Sequence, residues 1–186
     1  NWGCHILDIP FWAPGLKYPS RVDATGPPRD PARTPKSMHV TYRFDQTDQG
    51  SGVDLHWYHG QPEILGKENL PGKGNNTLFI GDGGMLLCGF NQKQLLPEDS
   101  FVDFDTPDPF IPDSPGFHQE WIDACKGGPP ATCDFGYSGP LAEAVLLGNV
   151  AYRGGGFNWN APSLETLGNE NSQRLIREEY RSGWQV

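Results

Sequence analysis

Positive charge is scarce in this chain: 14 lysines and arginines stand against 23 acidic residues among 186, a formal charge of -9. That deficit disfavours nucleic acid and anionic membrane surfaces as general partners, and leaves neutral polar ligands open. Long apolar runs are missing too. None approaches the roughly 18 residues of a membrane span, and the start lacks the charged, hydrophobic and cleavage-site succession of a signal peptide. Cysteine is sparse: Cys4, Cys88, Cys125 and Cys133 make neither a C-x-x-C pair nor a zinc-ribbon spacing, which speaks against a metal site. They are too few for a disulfide scaffold, so buried free thiols are expected, with a Cys125–Cys133 bridge left open in an oxidising compartment.

Catalytic signatures are missing as well. The chain contains no G-x-S-x-G elbow, no H-E-x-x-H and no Walker sequence. Its glycine clusters do not replace them: GDGG at 81–84 falls between two expected strands, and GGG at 154–156 follows an expected helix. A dinucleotide fingerprint needs G-x-G-x-x-G between a strand and a helix. No cofactor-binding domain is visible, and catalysis by this chain alone is disfavoured.

What is present reads as one domain of residues 1–186. Glycine (24) and proline (18) are plentiful, and with many aromatics beside them they indicate long ordered loops rather than disorder. A first helix should end near Pro14 and Gly15, and residues 27–35 form a proline-rich connection. Residues 37–45 alternate, with Met38, Val40, Tyr42 and Phe44 on one face and His39, Thr41 and Arg43 on the other, the mark of a half-buried strand. Residues 53–59 repeat the pattern, and DQTDQGSG between them is hairpin chemistry. TLFI and MLLCGF flank GDGG as a second hairpin of the same sheet.

Two long loops, 61–76 and 91–113, interrupt that sheet. Beyond them Ser114 is placed to cap a helix, Pro115 to open it and Gly127 to stop it. Trp121, Ile122 and Cys125 give that helix its apolar face. Residues 138–152 are apolar nearly all round, which predicts a helix buried against the sheet; FNWN suggests a short strand, and SQRLIREEYRSGW an amphipathic closing helix. The fold class is α+β, a mainly antiparallel open β-sheet with helices packed on one face. The polar strand face carrying His39, Arg43, His56 and Tyr58 suits packing against a second sheet or subunit.

His5 is the candidate for proton chemistry. In a helix, Asn1 and His5 share a face, with Gly3 permitting close approach of a ligand or another backbone. His118 begins a later helix beside Gln119 and Glu120, where capping or packing is the plainer role. Trp2, Phe11, Trp12, Trp57, Trp121, Trp159 and Trp184 read as core more readily than as a sugar platform.

The strings NWGCHILDIPFW, NNTLFIGDGGMLLCGF, PGFHQEWIDACKGG, YSGPLAEAVLLGNVAYR and REEYRSGW together resemble the C-terminal α/β domain of the glucose-fructose oxidoreductase, inositol dehydrogenase and MocA (Gfo/Idh/MocA) family, in its planctomycete-type subgroup. The resemblance runs along essentially the whole chain. It implies that NAD or NADP is bound by an N-terminal Rossmann domain not contained in these residues, and that the chain begins inside a catalytic helix. On the family's D-x-x-x-H pattern, His5 would be the general base and Asn1 would stand at the aspartate position. An amide there can position a hydroxyl but cannot carry negative charge. Trp2, Cys4 and His118 would lie toward the substrate.

The implied activity is oxidation of a sugar, polyol or derivative, with a homodimer or homotetramer formed through the open sheet. Two other readings stay open: an NAD-dependent glycosidase of the same family, and a noncatalytic carbohydrate-binding or oligomerisation module. Twin-arginine export to the periplasm and a cytoplasmic location are both compatible with the subgroup.

Overall fold

The computed structural model describes residues 2–48, 50–60, 62–64, 70, 77–178 and 180–184. Most of the 61–76 loop therefore lies outside the described residues. Among the described residues, four helices and eight strands form an α+β fold with two antiparallel sheets. The chain divides into two compact units, residues 1–71 with 141–186, and residues 72–140.

The first unit begins with α1 (Trp2–Trp12), which buries Gly3, Leu7, Pro10 and Phe11 along one stripe. Gly15 ends it. Its φ of 68° lets the Gly15 amide donate to the Trp12 carbonyl at 3.2 Å and the Leu16 amide to the Phe11 carbonyl at 2.8 Å. This is the Schellman arrangement, in which a left-handed residue satisfies the last carbonyls of a helix. Leu16 is buried beside it.

A five-stranded sheet follows, built from β1 (Arg21–Thr25), β2 (Met38–Phe44), β3 (Val53–His59), β7 (Phe157–Asn160) and β8 (Glu165–Leu167), in the order β3-β2-β1-β7-β8. The register pairs Val22 with Tyr42 and with Phe157, and Tyr42 with Leu55. Because side chains alternate along a strand, Val22, Val40, Tyr42, Phe44, Phe157 and Trp159 all face inward, and all are buried. The sequence pattern placed β2, β3 and their faces correctly, and it overlooked β1 and β8.

α3 (Phe135–Gly154) covers the inner face. Leu141, Ala144, Leu147, Gly148 and Ala151 are its buried stripe, while Leu146 is 62% exposed, so burial is one-sided rather than all round. Gly148 lies against Val40 and Tyr42. Trp159 Nε1 donates to Glu143 Oε1 at 2.7 Å, tying β7 to the helix. The last carbonyls of α3 and the glycines after it are met by Asn169 Nδ2, at 3.2 Å from Gly154 O and 3.0 Å from Gly156 O, and by Ser172 Oγ, at 2.7 Å from Gly155 O. Asn169 also caps α4 (Glu170–Gln173) through Oδ1. The expected long C-terminal helix is thus a single turn. Leu175 is 44% exposed, and without an apolar stripe to bury, a longer helix gains too little to persist.

The second unit carries a three-stranded antiparallel sheet of β4 (Thr77–Gly81), β5 (Gly84–Cys88) and β6 (Lys93–Leu96), followed by a 3₁₀ turn at Glu98–Phe101. The expected hairpin is there, with Asp82 and Gly83 at its turn, but it belongs to this separate sheet. Its third strand lies in a stretch read as loop. α2 (Phe117–Cys125) begins at Gly116 with no side-chain cap. Ser114, expected to cap, instead accepts from the Gly116 amide at 3.0 Å and donates to Glu120 at 2.5 Å. Gly127 ends α2 as anticipated, with φ 86° and its amide 3.1 Å from the Ala124 carbonyl. The apolar residues of α2 are not packed away: Trp121 is 66% exposed and Cys125 is exposed as well.

The thiols need correction. All four are free, but Cys88 alone is buried, while Cys4, Cys125 and Cys133 are exposed. Cys88 is inward on β5, and burial raises its thiol pKa.

The Gly15 turn yields a direct stability test. A Cβ at this position would overlap the Asp48 carboxylate, and a positive φ disfavours any other residue. Gly15→Ala should destabilise the chain by about 1–2 kcal/mol, read as a lower urea midpoint. An unchanged midpoint would show that this end of α1 does not constrain the fold.

Candidate functional site

α1 turns two faces to different surroundings. Gly3, Leu7 and Phe11 fix it to the core, and Cys4, His5, Asp8 and Trp12 occupy the outward side. The imidazole of His5 is exposed, with the Trp2 ring meeting it edge-on at 5.9 Å between centroids. An imidazole so placed is sterically able to take and return a proton. Of the two uses expected of Gly3, a ligand or another backbone, the second fits: a Cβ there would stand 3.0 Å from Val145 Cγ1, so its bareness lets α1 approach α3. Asn1 lies outside the described residues. Trp2 and His5 are therefore brought together, whereas His118 is carried by the second unit, where its exposed ring sits 4.2 Å from that of Phe117.

Below the first turn of α1, wholly within the first unit, a groove of about 230 Å³ opens onto β2, β3 and α3. Trp2, Thr34, Tyr42, Trp57, His59 and Asn149 supply its polar and aromatic lining. The sequence placed Tyr42 and Trp57 on an apolar face without showing that a cavity reaches them. The signal available was the presence of polar-tipped rings, Tyr42 and His59, at inward strand positions. Of the tryptophans read as core, Trp159 is buried, Trp57 is half-buried, and Trp2, Trp12, Trp121 and Trp184 are exposed.

The other face of the five-stranded sheet is polar. His39 Nε2 lies 3.1 Å from His56 Nδ1, Thr41 Oγ1 lies 3.2 Å from that same nitrogen, and the Tyr58 ring stacks on His39 at 4.2 Å and 6°. Beside this cluster Arg21 pairs with Asp23 at 2.6 Å, and Arg43 stands 3.6 Å from Asp45 and 3.8 Å from Asp54. Burial, and secondarily the charge of His56, lowers the pKa of His39.

In the second unit Glu120 is a fastening point rather than an acid–base group. It accepts from Ser114 and, through Oε2, from the Thr132 amide at 3.1 Å and hydroxyl at 2.7 Å. The Ser114 bond, then those of Thr132, hold its carboxyl below the usual range.

No family model matches the chain, and no curated protein matches it. Among the described residues no helix is long and apolar enough to cross a membrane.

The histidine pair predicts a pH dependence. His39 has a lower pKa folded than its ordinary 6.5, so the unfolded chain binds more protons as pH falls through that value. Its contribution to stability is present above about pH 6.5 and is lost as pH falls through the folded pKa. Thermal unfolding of the wild type should drop between neutral and mildly acidic pH more than that of His39→Gln; parallel curves would exclude the pair as the cause.

Proposed function

We propose that residues 1–186 are the substrate-side and oligomerisation domain of an NAD(P)-dependent oxidoreductase of the Gfo/Idh/MocA type, acting on a sugar, polyol or derivative. The observation that carries this reading is the setting of His5, an exposed imidazole on a helix whose opposite face is anchored in the core. In this role His5 accepts the proton of a substrate hydroxyl during oxidation of the carbon that bears it, and returns the proton in reduction. A nicotinamide, when bound, accepts the hydrogen of that carbon as hydride.

Gly81 and Gly84 flank a turn between strands, Gly154 closes a helix and Gly155 and Gly156 follow it, whereas a dinucleotide fingerprint needs its glycines between a strand and a helix. The cofactor is assigned to a further domain, and this chain supplies the proton acceptor, aromatic surface and contact faces. Trp2 remains the substrate-side neighbour of His5, and His118 a second candidate on its own unit.

Exposed aromatics in the second unit, Phe110 at 87%, Phe117 at 75% and Phe135 at 92%, also support a chain that meets other protein surface. The open face with His39, His56 and Tyr58 is proposed as the contact between copies. Sedimentation of the complete protein should give a dimer or tetramer, and a strict monomer would remove that part of the reading.

In the complete protein, His5→Ala should lower turnover by about 10² or more, the scale of lost acid–base assistance. Undiminished turnover would remove His5 from the mechanism. Stoichiometric NAD(P)H on substrate addition supports a dehydrogenase; release of an aglycone without net change in NAD(P) would transfer the proposal to glycoside cleavage.

A further inference from the structure

We infer that β3 pairs edge to edge and antiparallel with β3 of a second copy of this chain, joining their five-stranded sheets into one. This adds a contact between copies to the open face proposed above. It stands on the edge of the sheet alone and is independent of the oxidoreductase reading.

β3 is an end strand: the order is β3-β2-β1-β7-β8, and among the described residues it pairs only with β2. Alternate residues of an antiparallel strand direct their N–H and C=O groups away from the neighbour. Along the seven residues of β3 these groups form a template for a further strand. Natural edges of such length are blunted by lysine, by proline, by a bulge or by a covering element. VDLHWYH contains neither lysine nor proline, and its register with β2 runs one to one from Val53 and Phe44 to His59 and Met38, without a bulge. Nor is the strand covered, since Val53, Asp54, His56, Tyr58 and His59 are exposed. The opposite edge, β8, is blunted by being three residues long.

The inward row shows the same deficit. On β2, Val40, Tyr42 and Phe44 are buried, whereas on β3 Val53 is 38% exposed and Leu55 and Trp57 are only half-buried. An apolar row at the margin of a sheet gains burial from a strand laid beside it.

The residues of β3 identify the occupant as a second copy, because the strand is complementary to itself. With a two-fold axis at Leu55, antiparallel pairing sets Val53 against the second copy's Trp57, Leu55 against Leu55, and Asp54 against His56. Apolar side chains then meet on the inward face, and a carboxylate meets an imidazole twice on the outward face. Opposed pairs of this kind stabilise a strand pair, and like ones destabilise it. An axis at His56 would set imidazole against imidazole and lose both mixed pairs. The two groups are placed to take new partners. His56 Nδ1 faces His39 Nε2 at 3.1 Å and Thr41 Oγ1 at 3.2 Å; in the tautomer that accepts there, Nε2 carries the hydrogen and donates elsewhere. Asp54 Oδ1 is 3.8 Å from Arg43 Nη1, beyond hydrogen-bond range, so its carboxylate still accepts.

Sedimentation equilibrium of the 186-residue chain over a range of concentrations tests the pairing, beside two variants whose unfolding temperatures report their folding. Wild type should dimerise reversibly. Asp54→Lys sets an ammonium against His56 and should raise the dimer dissociation constant about tenfold. Adding His56→Glu restores an opposed pair and should recover most of that loss. Hydrogen exchange on the wild type gives a readout that needs no variant: amides of residues 53–59 should exchange more slowly in the dimer than after dilution to monomer, while those of β2 do not change. A chain that stays monomeric, a double variant that dimerises no better than Asp54→Lys, or β3 amides equally fast in dimer and monomer would overturn the proposal. A dimer of wild-type affinity in both variants would do so too, and would leave the open face as the contact between copies. None of these outcomes bears on hydride transfer, which turnover of the complete protein decides.

Discussion

The close seating of α3 on β2 at Gly148 is the contact on which the first unit depends. A helix this near a sheet requires a position without a side chain, and the space so freed is occupied by Val40 and the hydroxyl end of Tyr42. From that contact the helix stripe of Leu141, Ala144, Leu147 and Ala151 meets the strand residues Val22, Phe44 and Phe157, all of them buried. Each fully buried large apolar side chain contributes about 1.5–3 kcal/mol, so the arrangement draws its stability from many residues but its spacing from one. Gly3 repeats the device between α1 and α3 through Val145. Two bare positions thus bring three layers of secondary structure within packing distance.

That spacing has a functional side. α1 is held by the stripe of Gly3, Leu7 and Phe11, with Phe11 meeting Phe44 edge-on at 5.6 Å, and its far side is left to Cys4, His5 and Trp12. A helix anchored on one face presents the other with little freedom, which is what the proton transfer proposed for His5 would require of its support. The closeness of α3 also leaves the groove at its edge, where the inward side chains of β3 run past the region covered by the helix. The histidine cluster is on the opposite face of the same strands, because alternation sends His39 and His56 outward while Val40 and Trp57 turn in.

Much of this was legible from periodicity. β2 and β3 announce themselves through strict alternation, the β4–β5 hairpin through its glycines, and the ends of α1 and α2 through Gly15 and Gly127, since positive φ leaves few other choices. β1 was hidden because RVDAT offers only Val22 and Ala24 to the core, and its pairing with β2 and β7 is nonlocal. β6 and β8 failed to appear for the same reason: four and three residues carry too little pattern, and partner strands define them. The tail misled in the other direction. SQRLIREEYRSGW has helical spacing, yet Ser172 is drawn into the turn that closes α3, Gln173 turns back to Thr166, and Leu175 stays 44% exposed.

The candidate site divides along the same line. The outward setting of His5 depends on a local period, three or four residues to a turn, and one helix suffices to state it. Tyr42 depends on a coincidence that no local window contains: a strand position facing inward, a glycine 106 residues later on the helix above it, and an opening at the sheet's edge. Alternation alone makes Tyr42 a core aromatic, interchangeable with Phe44 two residues on. What separates them is that Phe44 ends in carbon packed against Phe11, whereas Tyr42 ends in a hydroxyl that lies against the bare Gly148.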